Sequence, residues 1–171
     1  MKKFYDFIEN IAVAVLILTI SILFFCRVIV VDGDSMRNTL HNQDKILISN
    51  FMYTPEKGDI IVTDNNNGYK KPLIKRVIAT GGDTIKVDYE NGVVYLNGNL
   101  LNEDYIMEHM NTVPADALEI TVPDGCLFVM GDNRNHSRDS RDDAIGVINQ
   151  KDILGKAVFR ISPFSDLGKV K

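Results

Sequence analysis

The stretch Thr84-Ile85-Lys86-Val87-Asp88-Tyr89-Glu90-Asn91-Gly92-Val93-Val94-Tyr95-Leu96 decides the fold class. Its two strand-like runs, 84–89 and 93–96, flank Asn91-Gly92. Asn-Gly is the strongest short hairpin signal, because both turn residues tolerate positive φ. Asn97-Gly98 follows and separates the next pair of strand-like runs. The stretch therefore predicts an antiparallel β meander.

Short β-rich runs between turn residues continue on both sides of this stretch, which favours an all-β body. The other candidate strands are 45–50, 59–63, 73–79, 118–122, 126–130 and 153–161. Helical signals fade after Asp32, and no internal repeat interrupts the pattern. The predicted fold class is mostly β, with one compact antiparallel β domain over residues 32–171.

Upstream of this domain, residues 11–31 are predicted to form a transmembrane helix. The run 11–26 carries no charge, and the apolar run resumes after Arg27. At about 1.5 Å per residue, such a helix spans roughly 30 Å, the thickness of one bilayer core. A cleavable signal peptide would have a shorter apolar run, followed by small residues. Phe24, Phe25, Cys26 and Arg27 occupy that place instead.

The flanks of the anchor predict its orientation. Lys2 and Lys3 precede it, and basic residues favour the cytoplasmic side. We therefore expect residues 1–10 to be cytoplasmic and the β domain to lie outside the cytoplasm, held at the cell membrane by a single span. Membrane lipid is then an expected partner.

Composition excludes several classes of protein. The formal charge is −4, with 19 basic and 23 acidic residues and no basic run, so no nucleic-acid partner is expected. Cys26 and Cys126 lie far apart in sequence, so a disulfide is not expected. The three histidines are scattered and no metal-binding motif occurs, so neither metal nor cofactor is expected.

A candidate nucleophile follows the apolar segment directly, in the bend Gly33-Asp34-Ser35-Met36. Glycine allows close backbone approach, and the Ser35 amide could point at a carbonyl oxygen. The ordinary alternative is a serine that only shapes a turn.

A nucleophilic serine needs a base, and either histidine or lysine could supply it. His41 and His136 lie in polar stretches that orient neither of them. A lysine works only when neutral, which requires burial or a like-charged neighbour. Period two places Lys75 on an apolar face of strand 73–79 and directs Arg76 to the opposite face. A lysine that protects a sheet edge is the alternative.

The stretch 131–141 is crowded with donors and acceptors and follows an apolar strand. Asp139 and Arg141 could pair and fix this loop, and Ser137 could then hydrogen-bond the neutral Lys75 amine. A solvated loop is the alternative.

Four segments, in this order and at this spacing, resemble the successive boxes of bacterial type I signal peptidases. They are Gly33-Asp34-Ser35-Met36-Arg37-Asn38-Thr39-Leu40, Gly58-Asp59-Ile60-Ile61-Val62, Lys75-Arg76-Val77-Ile78 with Gly82-Asp83, and Gly131-Asp132-Asn133-Arg134 through Ser137, Asp139, Ser140 and Arg141. The resemblance covers nearly the whole chain, and the last box is its most specific part. The lysine at position 75 is similar to the bacterial form of the family. The small body is similar to that of the compact enzymes of Gram-positive bacteria.

The resemblance implies a role for each matching residue. Ser35 would be the nucleophile, Lys75 the general base and Ser137 the group that positions Lys75. The ion pairs that hold the loop against the lysine strand would be Asp139–Arg141 and Asp132–Arg76. Candidates to line the substrate pockets are Ile29, Val31, Met36 and Ile74, although core packing is the alternative for each.

The implied function is that of a membrane-bound serine endopeptidase. It would remove signal peptides from exported preproteins through an acyl-enzyme, with small residues at −1 and −3 from the cut. The chain departs from the family pattern at Asn38, where proline is usual, and in the Gly81-Gly82-Asp83 turn. It also has Gly33 where some members carry a hydroxyl that assists the oxyanion hole, so the resemblance implies less help for the Ser35 amide there.

Two other functions compete with this one: a self-cleaving repressor-type peptidase of related fold, and a tethered β domain without catalysis. A DNA-binding domain would accompany the first, and intact Ser35 and Lys75 argue against the second. Residues 51–53 could form a membrane-facing rim, although a buried turn is the default expectation.

Overall fold

The chain begins with a helix and continues almost entirely in strands. The computed structural model describes residues 2–67 and 69–171. In chain order the elements are α1 (Lys2–Phe25), β1 (Cys26–Val30), β2 (Lys45–Ser49), β3 (Ile60–Thr63), β4 (Ile74–Thr80), β5 (Thr84–Asp88), β6 (Val93–Leu96), β7 (Asn99–Leu100), β8 (Leu118–Thr121), β9 (Cys126–Met130), β10 (Ile148–Asn149), β11 (Ile153–Ser162) and β12 (Gly168–Lys169). Short 3₁₀ turns occur at Arg134–His136, Gln150–Asp152 and Phe164–Asp166. The predicted antiparallel, mostly β fold is confirmed.

The predicted hairpin forms between β5 and β6. Ile85 lies opposite Leu96 and Asp88 lies opposite Val93. The turn between them has Gly92 at a φ of 69°, a left-handed conformation that glycine adopts without strain. β8 pairs with the other side of β5, and β7 with the other side of β6, so the meander is a four-stranded sheet.

A larger sheet carries the rest of the domain, in the order β1-β2-β11-β3-β4-β9-β10, with β12 also paired to β11. Its pairings are antiparallel. β4 lies between β3 and β9, which explains why all of its residues from 75 to 79 are buried. The two sheets share a core in which Ile78 and Phe128 of the larger sheet pack with Ile85 and Val87 of the smaller one.

The predicted helix of residues 11–31 is wrong in its last part. α1 ends at Phe25, and Cys26–Val30 pairs with β2 instead, from Cys26 opposite Ser49 to Val30 opposite Lys45. The run Val28-Ile29-Val30 is β-branched and suits a strand. Ile29 packs against the core while Val28 and Val30 are exposed, so the side chains alternate as on a sheet edge.

The part of the chain that the structure describes holds no helix that is both long and apolar enough to cross a membrane. Residues 2–20 of α1 are all exposed. Met1, the first residue of the predicted cytoplasmic segment, lies outside the described residues. Both cysteines are free.

Alanine at Gly92 should destabilise the fold more than alanine at Gly98. Both glycines have positive φ, so each substitution should cost about 1–2 kcal/mol of unfolding free energy. A Cβ at Gly92 would also lie 2.5 Å from the Met110 carbonyl oxygen, whereas one at Gly98 meets nothing within 4 Å. Overpacking should therefore add about 1–3 kcal/mol for Gly92→Ala. Denaturant unfolding of the two variants tests this. Equal losses of unfolding free energy would contradict the close contact between position 92 and the Met110 carbonyl.

Candidate active site

Ser35 lies in a tight turn immediately after the edge strand β1. The loop that holds it is closed by two hydrogen bonds, from the Val31 amide to the Asp44 carbonyl and from the Gln43 amide to the Val31 carbonyl, each 2.8 Å. Within the loop, the Arg37 amide donates to the Asp34 carbonyl at 3.1 Å and forms a turn around Ser35. Gly33 has a φ of 98°, which allows the chain to enter this turn. Ser35 is half-buried.

Lys75 reaches Ser35 from the centre of the larger sheet. Its side chain extends from β4, and the residue is 3 % exposed. The Lys75 Nζ lies 2.7 Å from Ser35 Oγ and also donates to the Ile74 carbonyl at 3.0 Å. Leu73 and Val77, its neighbours at period two, are buried in one apolar cluster, as the strand pattern predicted.

Neither candidate histidine replaces this lysine. His41 is exposed in the loop after Leu40. His136 is also exposed and lines the same groove as Ser35, but within the described residues only Lys75 has a side chain hydrogen-bonded to Ser35 Oγ. The structure thus joins the serine to the lysine and to no histidine.

Burial lowers the pKa of the Lys75 amine to about 8. The carboxylates of Asp139 and Asp132 act in the opposite direction, because negative charge favours the ammonium form. The Arg141 guanidinium adds to the lowering. A substantial fraction of Lys75 is therefore neutral near pH 8, and a neutral amine beside a hydroxyl can accept its proton.

The loop after β9 is fixed by a pair between Asp139 and Arg141. Arg141 donates from Nε to Asp139 Oδ1 and from Nη2 to Oδ2, both at 2.8 Å. Its Nη2 also donates to the Arg134 carbonyl at 2.8 Å, which ties the two ends of the loop together. Burial by itself raises the pKa of the Asp139 carboxyl, but Arg141 and the Gly131 amide outweigh it and keep that pKa below its usual range.

The second predicted ion pair, Arg76–Asp132, is present on the opposite face of β4. Arg76 Nε and Nη2 donate to the two Asp132 oxygens at 2.8 and 2.7 Å, and both side chains are buried. The ring of Tyr105 covers the Arg76 guanidinium at 4.1 Å, and Glu103 pairs with Arg134 beside it. Sequence reasoning missed Tyr105 and Glu103, because nothing in their local sequence indicates this distant contact.

Ser137 does not form the predicted hydrogen bond with Lys75. Its hydroxyl oxygen is buried and makes no hydrogen bond of ordinary geometry among the described residues. It lies beside Asp139, whose pKa it helps to lower, and against Gly131. The Lys75 amine instead bonds the Ile74 carbonyl of its own strand.

Gly131 makes a close contact with the serine turn that sequence reasoning missed. A Cβ at this position would lie 2.4 Å from the Ser35 carbonyl oxygen and 2.3 Å from Ser137 Oγ. Only a residue without a side chain allows the loop after β9 to approach the serine turn this closely. In the sequence this glycine stands out only as the first residue of the Gly131-Asp132-Asn133-Arg134 box.

A groove of about 510 Å³ runs along Ser35 and Lys75. All four predicted pocket residues, Ile29, Val31, Met36 and Ile74, line it. Val31 and Met36 are almost fully buried and form its floor. The groove also includes Val62, Leu73 and Leu154, which sequence reasoning did not select.

A hydroxyl and a buried amine in hydrogen-bond contact, at the side of a groove, have the geometry of a serine hydrolase. Comparison with known proteins agrees with this class. The family described as signal peptidase, peptidase S26, matches residues 4–162. The chain is 32 % identical to signal peptidase I S of Bacillus subtilis, over 98 % of this chain and 94 % of that protein.

Two further relatives extend this comparison. The probable signal peptidase I-1 of Synechocystis sp. is 38 % identical, over 95 % of this chain and 86 % of that protein. The crystal structure of a signal peptidase I from Enterococcus faecalis V583 is 30 % identical, with a TM-score of 0.50, and covers 62 % of this chain and 98 % of that one.

The chain belongs to the signal peptidase family, peptidase S26. It is a hydrolase of the signal peptidase I class, a serine peptidase for the removal of signal peptides.

Alanine at Gly131 should lower activity by displacing the serine turn. The new Cβ would collide with the Ser35 carbonyl oxygen. A displacement of about 1 Å in an active site can cost about 100-fold, so we expect kcat/KM for preprotein cleavage to fall by about that factor. Gly168→Ala is the matched control, because a Cβ there meets nothing within 4 Å. Equal activity in both variants would show that this close approach is not needed.

Proposed function

We propose that Ser35 is the nucleophile and Lys75 the general base of this signal peptidase. The observation that supports this most directly is the 2.7 Å contact between Ser35 Oγ and the buried Lys75 Nζ. A lysine can act as a base near neutral pH only when the pKa of its amine is lowered. Burial lowers that pKa, as does a like-charged neighbour.

In the proposed reaction, Ser35 Oγ forms a bond to the scissile carbonyl carbon while its proton passes to Lys75 Nζ. The tetrahedral intermediate then breaks its carbon–nitrogen bond, and Lys75 returns the proton to the departing amine of the mature protein. Lys75 next takes a proton from water as the water oxygen attacks the acyl carbon. The ester bond to Ser35 Oγ then breaks, Lys75 returns the proton to that oxygen, and the signal peptide leaves with a new carboxylate. In this reaction the Ser35 amide would donate to the developing oxyanion.

The two ion pairs have a positioning role in this proposal. Asp139–Arg141 holds the loop after β9, and Arg76–Asp132 holds the start of that loop against β4. Each buried carboxylate is paired with a guanidinium, so neither is left as an isolated charge near the amine. Ser137 contributes by packing against Gly131 beside the serine turn.

The proposed substrate is the extended cleavage segment of an exported preprotein. β1 is an edge strand of the larger sheet and leads directly into the serine turn, so an extended peptide can pair along this edge. Buried Val31 and Met36 leave shallow apolar pockets beside Ser35, which favours small side chains next to the cut.

Membrane attachment through α1 is also part of the proposal, with the catalytic domain outside the cytoplasm and a single crossing. It is supported by the exposed apolar side chains of α1, among them Val15, Leu16, Ile17 and Leu18, each more than half exposed. Phe51 and Met52 are exposed too, and their turn follows Ser49, which pairs with the first residue after α1. The predicted default of a buried turn at residues 51–53 does not hold for these two residues.

Ser35→Ala and Lys75→Ala should each lower preprotein cleavage by at least about 10⁴-fold, the order of loss when a nucleophile or its base is removed. Lys86→Ala is the matched control, because Lys86 is an exposed strand lysine. We expect the control to keep wild-type activity and all three variants to keep the wild-type circular dichroism. Substantial cleavage by either active-site variant would remove that residue from its proposed role.

The rate should rise with pH through the pKa of the base. A protonated amine cannot accept the Ser35 proton, so kcat/KM should increase through pH about 8 and level off above it. The measurement is kcat/KM for a peptide substrate across this range. A rise centred near about 6.5 would instead indicate histidine.

Two lysines on the exposed face of α1 should release the protein from membranes. In Val15→Lys/Leu18→Lys the charges would have to enter the bilayer, so a high-salt wash at neutral pH, where lysine stays charged, should extract this variant and not the wild type. Leu100→Lys, an exposed apolar residue in the β domain, is the control. Protease added outside intact spheroplasts should digest the wild-type domain, and protection would contradict the orientation.

A further inference from the structure

Asn133 donates hydrogen bonds to two backbone carbonyl groups of the serine turn, those of Asp34 and Ser35. Its side-chain Nδ2 donates to the Asp34 carbonyl at 3.1 Å. Its backbone amide donates to the Ser35 carbonyl at 3.0 Å. Asn133 is 4 % exposed and follows Asp132, which the pair with Arg76 fixes on β4. One buried residue therefore attaches the serine turn to the rigid part of the larger sheet.

The Asn133 side chain determines the direction of the Ser35 amide. In a planar trans peptide, the carbonyl of one residue and the N–H of the next point in opposite directions. The Asp34 carbonyl is held by Asn133 Nδ2 on one side and by the Arg37 amide within the turn. The Ser35 N–H is thereby turned away from Asn133. No hydrogen bond of the described residues uses this N–H, and Ser35 lines the groove.

The asparagine is not explained by packing alone. Its Oδ1 atom is buried and has no hydrogen-bond partner among the described residues, which destabilises the fold. An apolar side chain of similar size would avoid this cost but could not donate to the Asp34 carbonyl. The side-chain amide of Asn133 is thus needed because its N–H donates to the Asp34 carbonyl.

We propose that Asn133 is a positioning residue that orients the Asp34–Ser35 peptide, so that the Ser35 N–H donates to the oxyanion of the tetrahedral intermediate. This inference rests on the proposed role of Ser35 as nucleophile. It gives the amide a fixed direction in a site where Gly33 supplies no hydroxyl to assist it. Asn133 is not among the residues that line the groove, and among the described residues it forms no hydrogen bond with Lys75.

The test compares a peptide ester with the matching thionoester, whose scissile carbonyl oxygen is replaced by sulfur. Sulfur is a poor hydrogen-bond acceptor, so an enzyme with a directed donor should cleave the ester much faster. In the full-length enzyme in detergent, Asn133→Ala and Asn133→Leu should lower kcat/KM for the ester by about 10- to 100-fold, mainly through kcat. Their ester-to-thionoester rate ratio should fall at least tenfold.

The rate ratio distinguishes positioning from a structural role, because a smaller folded fraction lowers both rates equally. Asn133→Leu fills a similar volume without a donor, and keeps the test available if the alanine variant folds poorly. Asn135→Ala is the matched control, since Asn135 bonds Asn111, Glu108 and His109 and not the serine turn, and it should keep the wild-type ratio. The apparent pKa of kcat/KM should not change in any of these variants.

The outcomes separate this inference from the proposed function. If Ser35→Ala is inactive but the Asn133 variants keep the wild-type ratio, whether their rates fall or not, the inference is overturned and the nucleophile stands. If Ser35→Ala cleaves the ester normally, the proposed function fails and the inference fails with it.

Discussion

The burial of Lys75 against Ser35 is the constraint on which the rest of the site depends. An ammonium group loses hydration when it leaves water, so burial favours the neutral amine. The same burial fixes the amine at one distance from the hydroxyl, with the Ile74 carbonyl as its second partner. A central strand is needed for this, because an edge strand would leave the side chain in solvent. β4 meets that need, with β3 on one side and β9 on the other.

The charges around Lys75 only weakly oppose the effect of burial on the pKa of its amine. Asp132 and Asp139 are buried and would favour the ammonium form if they were unpaired. Each is held by two hydrogen bonds from an arginine, on opposite sides of the site. The pairs also fix the loop after β9, whose glycine and asparagine contact the serine turn. The two Asp–Arg pairs therefore both neutralise the carboxylates near Lys75 and position the serine turn.

The sequence predicted what depends on local pattern. Period two placed Lys75 and Arg76 on opposite faces of one strand, and the Asn-Gly turn predicted the β5–β6 hairpin. It wrongly predicted a helix for Cys26–Val30, because a short apolar run suits both helix and strand and only pairing with β2 selects the strand. It also could not predict that Ser137 lies against Gly131 and forms no hydrogen bond with Lys75 among the described residues. Contacts such as Tyr105 on Arg76 depend on long-range packing that leaves no local signal.

The most direct test of the central claim is the titration of Lys75 itself. The full-length enzyme labelled with ¹³C at the lysine ε carbons can be followed by NMR across pH in detergent, with the Lys75 resonance assigned from its absence in Lys75→Ala. We expect this one resonance to titrate near pH 8, where burial places its pKa. Titration of Lys75 with the other lysines near about 10.4 would show a solvated ammonium, and would contradict a neutral base in this site.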